Sequence, residues 1–334
     1  MREKLMDLQL FAELNVNTTE KADAGVWDLS PEMKVFYNTS LLENSRQENY
    51  FNQFGMKQPL PKNNGKTVEW RRFQTFEKAM TPLTEGVTPD GNKVVINKIE
   101  ATIDQYGDYT TISDRLELEA VDPIITGVTE EHGAQAGETL DTITRNVVVA
   151  GTNVIYGGDK TSRDAITAAD ILTPELVNQG VTMLKKMNAP QVEGGGYIAI
   201  VHPSCTYDLR QSDEWVEAHK YASPEEIYNG EIGRLHNVRF VESPNQKVWT
   251  TGTTTTTAVY AVTMFGKDAY GIVEPSAESM QVIVKPKGSA GTADPLDQRS
   301  SVGWKASHTA AILYQERLVR LEVGSKYSDR DEEN

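Results

Sequence analysis

Cysteine is almost absent: the 334 residues contain one, Cys205. A lone thiol closes no internal disulfide, so the fold rests on noncovalent packing and requires no oxidising compartment. Long apolar runs are missing too, and no stretch approaches the roughly 18–20 uninterrupted apolar residues of a membrane-spanning helix. Even the apolar start, with Leu5, Met6, Leu8, Leu10, Phe11 and Leu14, is broken by Asp7, Gln9 and Glu13, which a secretory signal does not tolerate. The expectation is a soluble chain that stays in the cytoplasm and meets no membrane. Positive charge is scarce as well: 33 Lys and Arg against 48 Asp and Glu leave a net charge of -15. That balance argues against a basic stripe that grips nucleic acid. What is present suffices for a globular core, since 38 % of the residues are hydrophobic. The length suggests two or three structural units.

Charge is segregated along the chain. Residues 61–100 hold 7 basic and 5 acidic side chains, a net +2, whereas residues 101–160 hold 3 and 11, a net -8. The basic segment reads as an extended β-hairpin. Val68 and Trp70 alternate with Glu69 and Arg71 in its first arm, and Ile99, Ala101 and Ile103 recur at period two in its second. The Pro- and Gly-containing stretch from Thr81 to Gly91 suits a turn-rich tip. Such an arm has no buried face of its own and must lie on something else.

The acidic segment reads as one long helix that starts after Asp122-Pro123 and stops at Gly157-Gly158. Its expected packing stripe is Ile125, Val128, Ala136, Leu140, Ile143, Val147, Ala150 and Val154. Asp141 and Arg145 are spaced as an i,i+4 pair. Farther on, Pro174–Asn188 reads as helix, and Tyr197–Val201, Leu235–Val241 and Val259–Phe265 read as strands. Thr253–Thr257 reads as a surface loop, Ala310–Val323 as a strand pair, and Asp329–Asn334 as a solvated tail.

No chemistry assembles itself from the motifs. Gly157-Gly158-Asp159-Lys160-Thr161 imitates a phosphate loop, but Asp159 would face the phosphate and the segment closes a helix. Gly194-Gly195-Gly196 precedes a strand and has no helix to aim at a ligand. His202 and Cys205 lack the second pair that a zinc site needs, and Cys205 reads as a small core thiol. Arg71-Arg72 between Trp70 and Phe73 resembles an aromatic-basic patch, though strand faces packed on a partner explain it better. No catalytic residue, metal ligand or cofactor is expected, and an enzyme is the weaker reading.

Six strings, in this order, resemble the major capsid proteins of tailed bacteriophages with the Hong Kong-97 fold, in particular the N-four-like subfamily. They are Leu8–Ala12, Leu60–Phe73, Leu83–Pro89, Gln105–Tyr109, Gly151–Tyr156 and Asn229–Leu235. The resemblance implies an α+β fold: an N-terminal arm at 1–60, an E-loop hairpin at 61–110, and a P domain with its spine helix at 111–160. It further implies an A domain at 161–300 and returning P-domain strands with an acidic tail at 301–334. By the same resemblance the function is structural, as many copies form hexamers and pentamers of an icosahedral head shell that encloses DNA without reading its sequence. Implied partners are a separate scaffolding protein, because no room precedes the hairpin for a fused one, and a portal protein; decoration proteins are left open. The implied location is the virion, after assembly in the host cytoplasm. Between copies, Trp70 and Phe73 are expected to give apolar contact. Arg71 and Arg72 are expected to pair with carboxylates from Asp114, Glu117, Glu119, Glu130, Glu131 and Glu138. The alternative within the same fold is an encapsulin-like nanocompartment shell that binds cargo enzymes.

Overall fold

The computed structural model describes residues 16–17, 50–60, 65–83, 85–88, 91–119, 124–220, 231–251, 257–275 and 280–334. Most of the expected N-terminal arm, including Met1–Asn15, and Thr253–Thr256 of the threonine run lie outside the described residues. In chain order the strands are β1 (Val16–Asn17), β2 (Met56–Leu60), β3 (Thr67–Phe73), β4 (Ile96–Thr102), β5 (Asp104–Ser113), β6 (Val154–Tyr156), β7 (Tyr197–Val201) and β8 (Glu231–Leu235). They continue with β9 (Val238–Glu242), β10 (Val248–Thr251), β11 (Thr257–Phe265), β12 (Tyr270–Pro275), β13 (Gln281–Lys285), β14 (Arg299–Ile312) and β15 (Leu318–Val323). Among the described residues the α-helices are Asp114–Glu119, Ile124–Val149, Pro174–Lys186, Pro203–Arg210 and Asp213–Lys220. Helix and sheet are thus mixed, as an α+β chain requires.

The chain divides into two compact units. The first contains residues 105–139 and 278–307. Its strand β13 pairs antiparallel with β14, Ile283 opposite Gly303, and Ile112, Leu116 and Val302 form its small core. A polar chain crosses it: Trp304 Nε1 donates to Gln135 Oε1 at 3.0 Å, and Gln135 Nε2 donates to Asp108 Oδ2 at 2.8 Å. His132 Nδ1 lies 3.1 Å from Gln135 Oε1 and its Nε2 lies 3.0 Å from Thr110 Oγ1, an arrangement that makes Nδ1 the donor and Nε2 the acceptor.

The second unit comprises residues 50–104, 140–277 and 308–334. Its centre is a sheet in the order β6-β15-β11-β7-β9-β8, with β10 added to β11. Strand β7 is buried along its whole length, so its unbroken Tyr-Ile-Ala-Ile-Val run is what a strand covered on both faces requires. On one face lies helix Pro174–Lys186. Thr173 Oγ1 accepts the N–H of Leu176 at 3.2 Å, Pro174 opens the first turn, and Lys185 and Lys186 occupy the last. Leu176, Val177, Val181 and Leu184 of that helix pack with Val262, Met264 and Leu321. On the other face Phe51, Val148, Ile198, Phe265, Tyr270 and Ile272 form a second core.

Several expectations are corrected. Helix Ile124–Val149 stops eight residues before Gly157, because Val154–Tyr156 instead pairs parallel with β15 as strand β6. Gly157-Gly158 therefore turns the chain out of a strand, with Gly158 at a φ of 60°. The segment Leu235–Val241 is not one strand but a hairpin bend. His236 and Asn237 take φ values of 49° and 66°, the pair of left-handed residues that a tight hairpin turn needs, and join β8 to β9. Within Ala310–Val323, β14 and β15 lie in different sheets and do not pair with each other. The tail is not simply solvated, since Ala258 N–H donates to Asp329 O at 2.9 Å and Val248 N–H to Asn334 Oδ1 at 3.0 Å.

The helix also buries a different stripe from the expected one. Val128, Leu140, Ile143 and Val147 are only half-buried, and Ala150 is exposed. Thr129, Asp141, Thr144 and Arg145 are buried instead, along with Ala136 and Val148. Polar groups occupy these places because each finds a partner there: Arg145, for instance, donates to Asn245 O and Oδ1, both at 2.9 Å.

Candidate assembly surface

The hairpin expected from the alternation is present, with Val68 opposite Ala101, Trp70 opposite Ile99 and Phe73 opposite Ile96. Its two faces differ, because successive side chains point to opposite sides. One carries Val68, Trp70 and Arg72. Trp70 is half-buried at the root of the hairpin, where its indole lies against Gly271 of β12 and close to Leu313. Arg72 reaches Glu316 at 3.5 Å, and its guanidinium carbon stands 5.2 Å from the centre of the Tyr314 ring. The other face carries a charge lattice: Arg71 bonds Glu69 at 2.5 Å, and Lys98 bonds Glu100 at 2.5 Å. The hydrogen bond from Arg71 holds the Glu69 carboxyl below its ordinary range.

Four candidate residues therefore separate into two kinds. Trp70, Arg71 and Arg72 already have partners in their own chain, so pairing with another copy competes with contacts in place. Phe73 is exposed at 74 %. Beyond it the apolar exposure continues through Phe76, Met80, Leu83, Val87 and Val94, with Met80 at 81 % and Leu83 at 78 %. Glu130, Glu131 and Glu138 are exposed on their helix in the first unit, where Glu117 lies on helix Asp114–Glu119. Sequence reasoning missed Gly271, Tyr314 and Glu316 as the ground on which the hairpin root stands. Nothing local marks them, since they lie some 200 residues or more from Trp70 and Arg72 along the chain.

Elsewhere the groups weighed for chemistry have structural duties. His202 Nδ1 accepts the N–H of Ser204 at 3.2 Å and so caps helix Pro203–Arg210. Cys205 is fully buried in the first face's core, and burial pushes its thiol well up. A cleft of about 460 Å³ in the first unit is lined by Tyr106, Tyr109, Ile283, Lys285, Trp304 and Lys305, with Asp108 at its wall. The hydrogen bond from Gln135, then that from Tyr109 N–H, holds the Asp108 carboxyl below its ordinary range, which suits an acceptor and not an acid. Among the described residues no cluster of His, Cys, Asp and Glu is placed to hold a metal ion, and no helix is long and apolar enough to cross a membrane.

The family described as Phage capsid protein matches residues 96–320, two thirds of the chain. The chain belongs to that family. No curated protein matches it, so further comparison rests on solved structures. The capsid of Ralstonia phage GP4 aligns with a TM-score of 0.67 at 13 % identity, covering 92 % of this capsid chain and 98 % of the other. The cyanophage Pam1 capsid aligns at 0.64 and 14 % identity, covering 92 % and 99 %. A virus-like particle from Pyrococcus furiosus aligns less well, at 0.50 and 13 % identity, covering 85 % and 97 %. At such identities the likeness speaks for the fold, which is Hong Kong-97-like. Family and fold together make this a structural protein of the capsid shell, located in the virion.

Proposed function

We propose that this capsid protein is the repeating unit of an icosahedral tailed-phage head, belongs to the N-four-like subfamily, and closes as hexamers and pentamers around DNA. The observation that carries the reading is the hairpin. A family member whose hairpin exposes Phe73, Phe76, Met80 and Leu83 holds an apolar surface open to a partner. A neighbouring copy is the occupant that repeats with every subunit.

In that reading residues 1–60 are the N-terminal arm, 61–110 the E-loop, 111–160 with the returning strand the P domain, and 161–300 the A domain. Exposed Glu130, Glu131 and Glu138 offer carboxylates for the receiving surface, and Glu117 belongs to the same proposed set. A net charge of -15 lines a container that confines DNA without gripping it. Assembly in the host cytoplasm uses a separate scaffolding protein and a portal protein, and requires no catalysis by this chain. The nanocompartment alternative is less supported, given the weaker alignment of the Pyrococcus furiosus particle.

Sedimentation and cryo-electron microscopy of the expressed chain, alone and with its scaffold, test the proposal. Shells with fivefold and sixfold capsomers are expected. A compact monomer at every concentration, with or without scaffold, overturns it. Shells that fill with a co-expressed enzyme and need no scaffold favour the nanocompartment.

A further inference from the structure

Helix Ile124–Val149 carries a fully buried carboxyl, Asp141. It lies away from either helix end, so terminal N–H groups do not compensate a charge there. Asp141 Oδ1 accepts the backbone N–H of Phe51 at 2.7 Å and of Asn52 at 3.2 Å, whereas Oδ2 is buried without a hydrogen-bond partner. Other bonds tie the same short segment to the same place. The Thr144 hydroxyl donates to Asn52 Oδ1 at 2.5 Å and lies 2.9 Å from His308 Nε2, and the Tyr270 hydroxyl donates to Phe51 O at 2.6 Å.

This is the arrangement of a neutral carboxyl. Both backbone donors go to one oxygen, which leaves the other to take a proton; a carboxylate would need donors at both oxygens to be buried at low cost. We infer that Asp141 is a protonation-sensitive anchor: its neutral carboxyl holds residues 50–54 on the helix, and its carboxylate loosens them.

Burial drives the carboxyl up to about 7, against the pull of the Asn52 and Phe51 N–H groups, the Asn245 side chain and Arg145. Exchange between the two forms therefore falls near neutral pH. Among the described residues the groups facing it are few. Arg145, one turn along the same helix, favours the carboxylate but also binds Asn245. From β12 comes the Tyr270 hydroxyl, which burial keeps neutral. From β14 comes His308, through Thr144, and the anchored segment itself brings only Tyr50. Because the fold binds this proton more tightly than the unfolded chain, the contribution of Asp141 to stability is greatest below about pH 4. It declines as pH rises towards 7 and levels off above.

The test is amide hydrogen exchange of the full chain from pH 5.5 to 9, read by mass spectrometry on peptides covering residues 50–54 and expressed as protection factors. Wild type is expected to lose protection by about tenfold in a one-proton step near neutrality. Asp141→Asn keeps the accepting oxygen and cannot ionise, so its profile should be flat, while His308→Gln should retain the step. A flat wild-type profile overturns the inference whether or not the variants fold. A step that persists in Asp141→Asn, or vanishes in His308→Gln alone, also overturns it.

Discussion

Trp70 and Gly271 meet at the root of the hairpin: a methyl group placed on Gly271 would come within 3.0 Å of Trp70 Cζ2 and 3.2 Å of Leu313 Cδ1. A contact this tight fixes where the hairpin leaves the body. Trp70→Ala should cost about 2 kcal/mol, roughly half the loss of a fully buried Trp, because Trp70 is only half-buried. Gly271→Ala should cost less but displace the indole. Chemical denaturation measures the first effect. Faster amide exchange confined to residues 67–73 reports the second, and unchanged exchange in both variants would remove Trp70 as the anchor.

Arg72 and Glu316 offer a cleaner test of charge at the same root. Reversal to Arg72→Glu sets two carboxylates side by side and removes the more distant of two cations at the Tyr314 ring, leaving Arg317, whose guanidinium carbon stands 3.7 Å from the ring centre. A partly exposed pair is worth at most about 1 kcal/mol, so the effect on unfolding should be small. The swap Arg72→Glu with Glu316→Arg should restore what the single reversal loses, in stability and in assembly alike. Restored stability with assembly still impaired would show that Arg72 pairs with another copy instead.

The hairpin was legible because its signal is local. Alternation of Val68 and Trp70 with Glu69 and Arg71 states both the strand and its faces, and the apolar run at Tyr197–Val201 states a covered strand. The helix face was not legible for the opposite reason. Hydropathy chose Leu140, Ile143 and Val147, whereas the buried side chains Asp141, Thr144 and Arg145 make hydrogen bonds with Phe51, Asn52, Asn245 and His308, residues 89 to 164 positions away. The end of the helix was missed similarly, since Val154–Tyr156 becomes a strand only through β15. Family strings pointed to the shell, while the partners of Trp70 and Arg72 required the fold.

Tyr260 ties the C-terminal segment to strand β11 by donating to Asp331 Oδ2 at 2.6 Å. Burial raises the Asp331 carboxyl, but hydrogen bonds from Ser328 and Tyr260 outweigh it and leave the group below its ordinary range. Its stabilisation is therefore complete above about pH 4 and is lost as pH falls through the folded value. Tyr260→Phe should lower stability by about 1 kcal/mol at neutral pH, the low end for a bond to a charged group near water. Denaturant titrations at pH 7 and pH 3 should show that difference shrinking in acid. A constant difference would mean that the hydroxyl acts through Ser328 O, which it also reaches at 3.0 Å and which does not titrate, and not through Asp331.

Cys205 is fully buried and has an elevated thiol, so an alkylating reagent should label it only after unfolding. Cys205→Ala should cost about 1 kcal/mol, a modest loss of apolar contact, and leave assembly intact. Cys205→Ser should cost more, since it places a hydroxyl in an apolar core. Rapid labelling of the native chain would contradict the buried position.

The apolar tip, more than the arginines, should drive association. Phe76, Met80 and Leu83 are exposed at 55 %, 81 % and 78 %, so the isolated fold gains little from them. Covered by a neighbour, each would contribute about 1.5–3 kcal/mol, against at most about 1 kcal/mol for an exposed ion pair. The contact recurs once as donor and once as receiver for each subunit, so its loss multiplies through the shell. Changing all three to Ser should leave the subunit's thermal midpoint nearly unchanged and abolish shells by sedimentation. Salt separates the two causes, because a screening length of about 8–10 Å weakens exposed pairs and leaves apolar burial intact. Wild-type assembly should therefore survive high salt. If it instead dissolves with added salt while the triple variant still assembles, charge and not the tip holds the copies together.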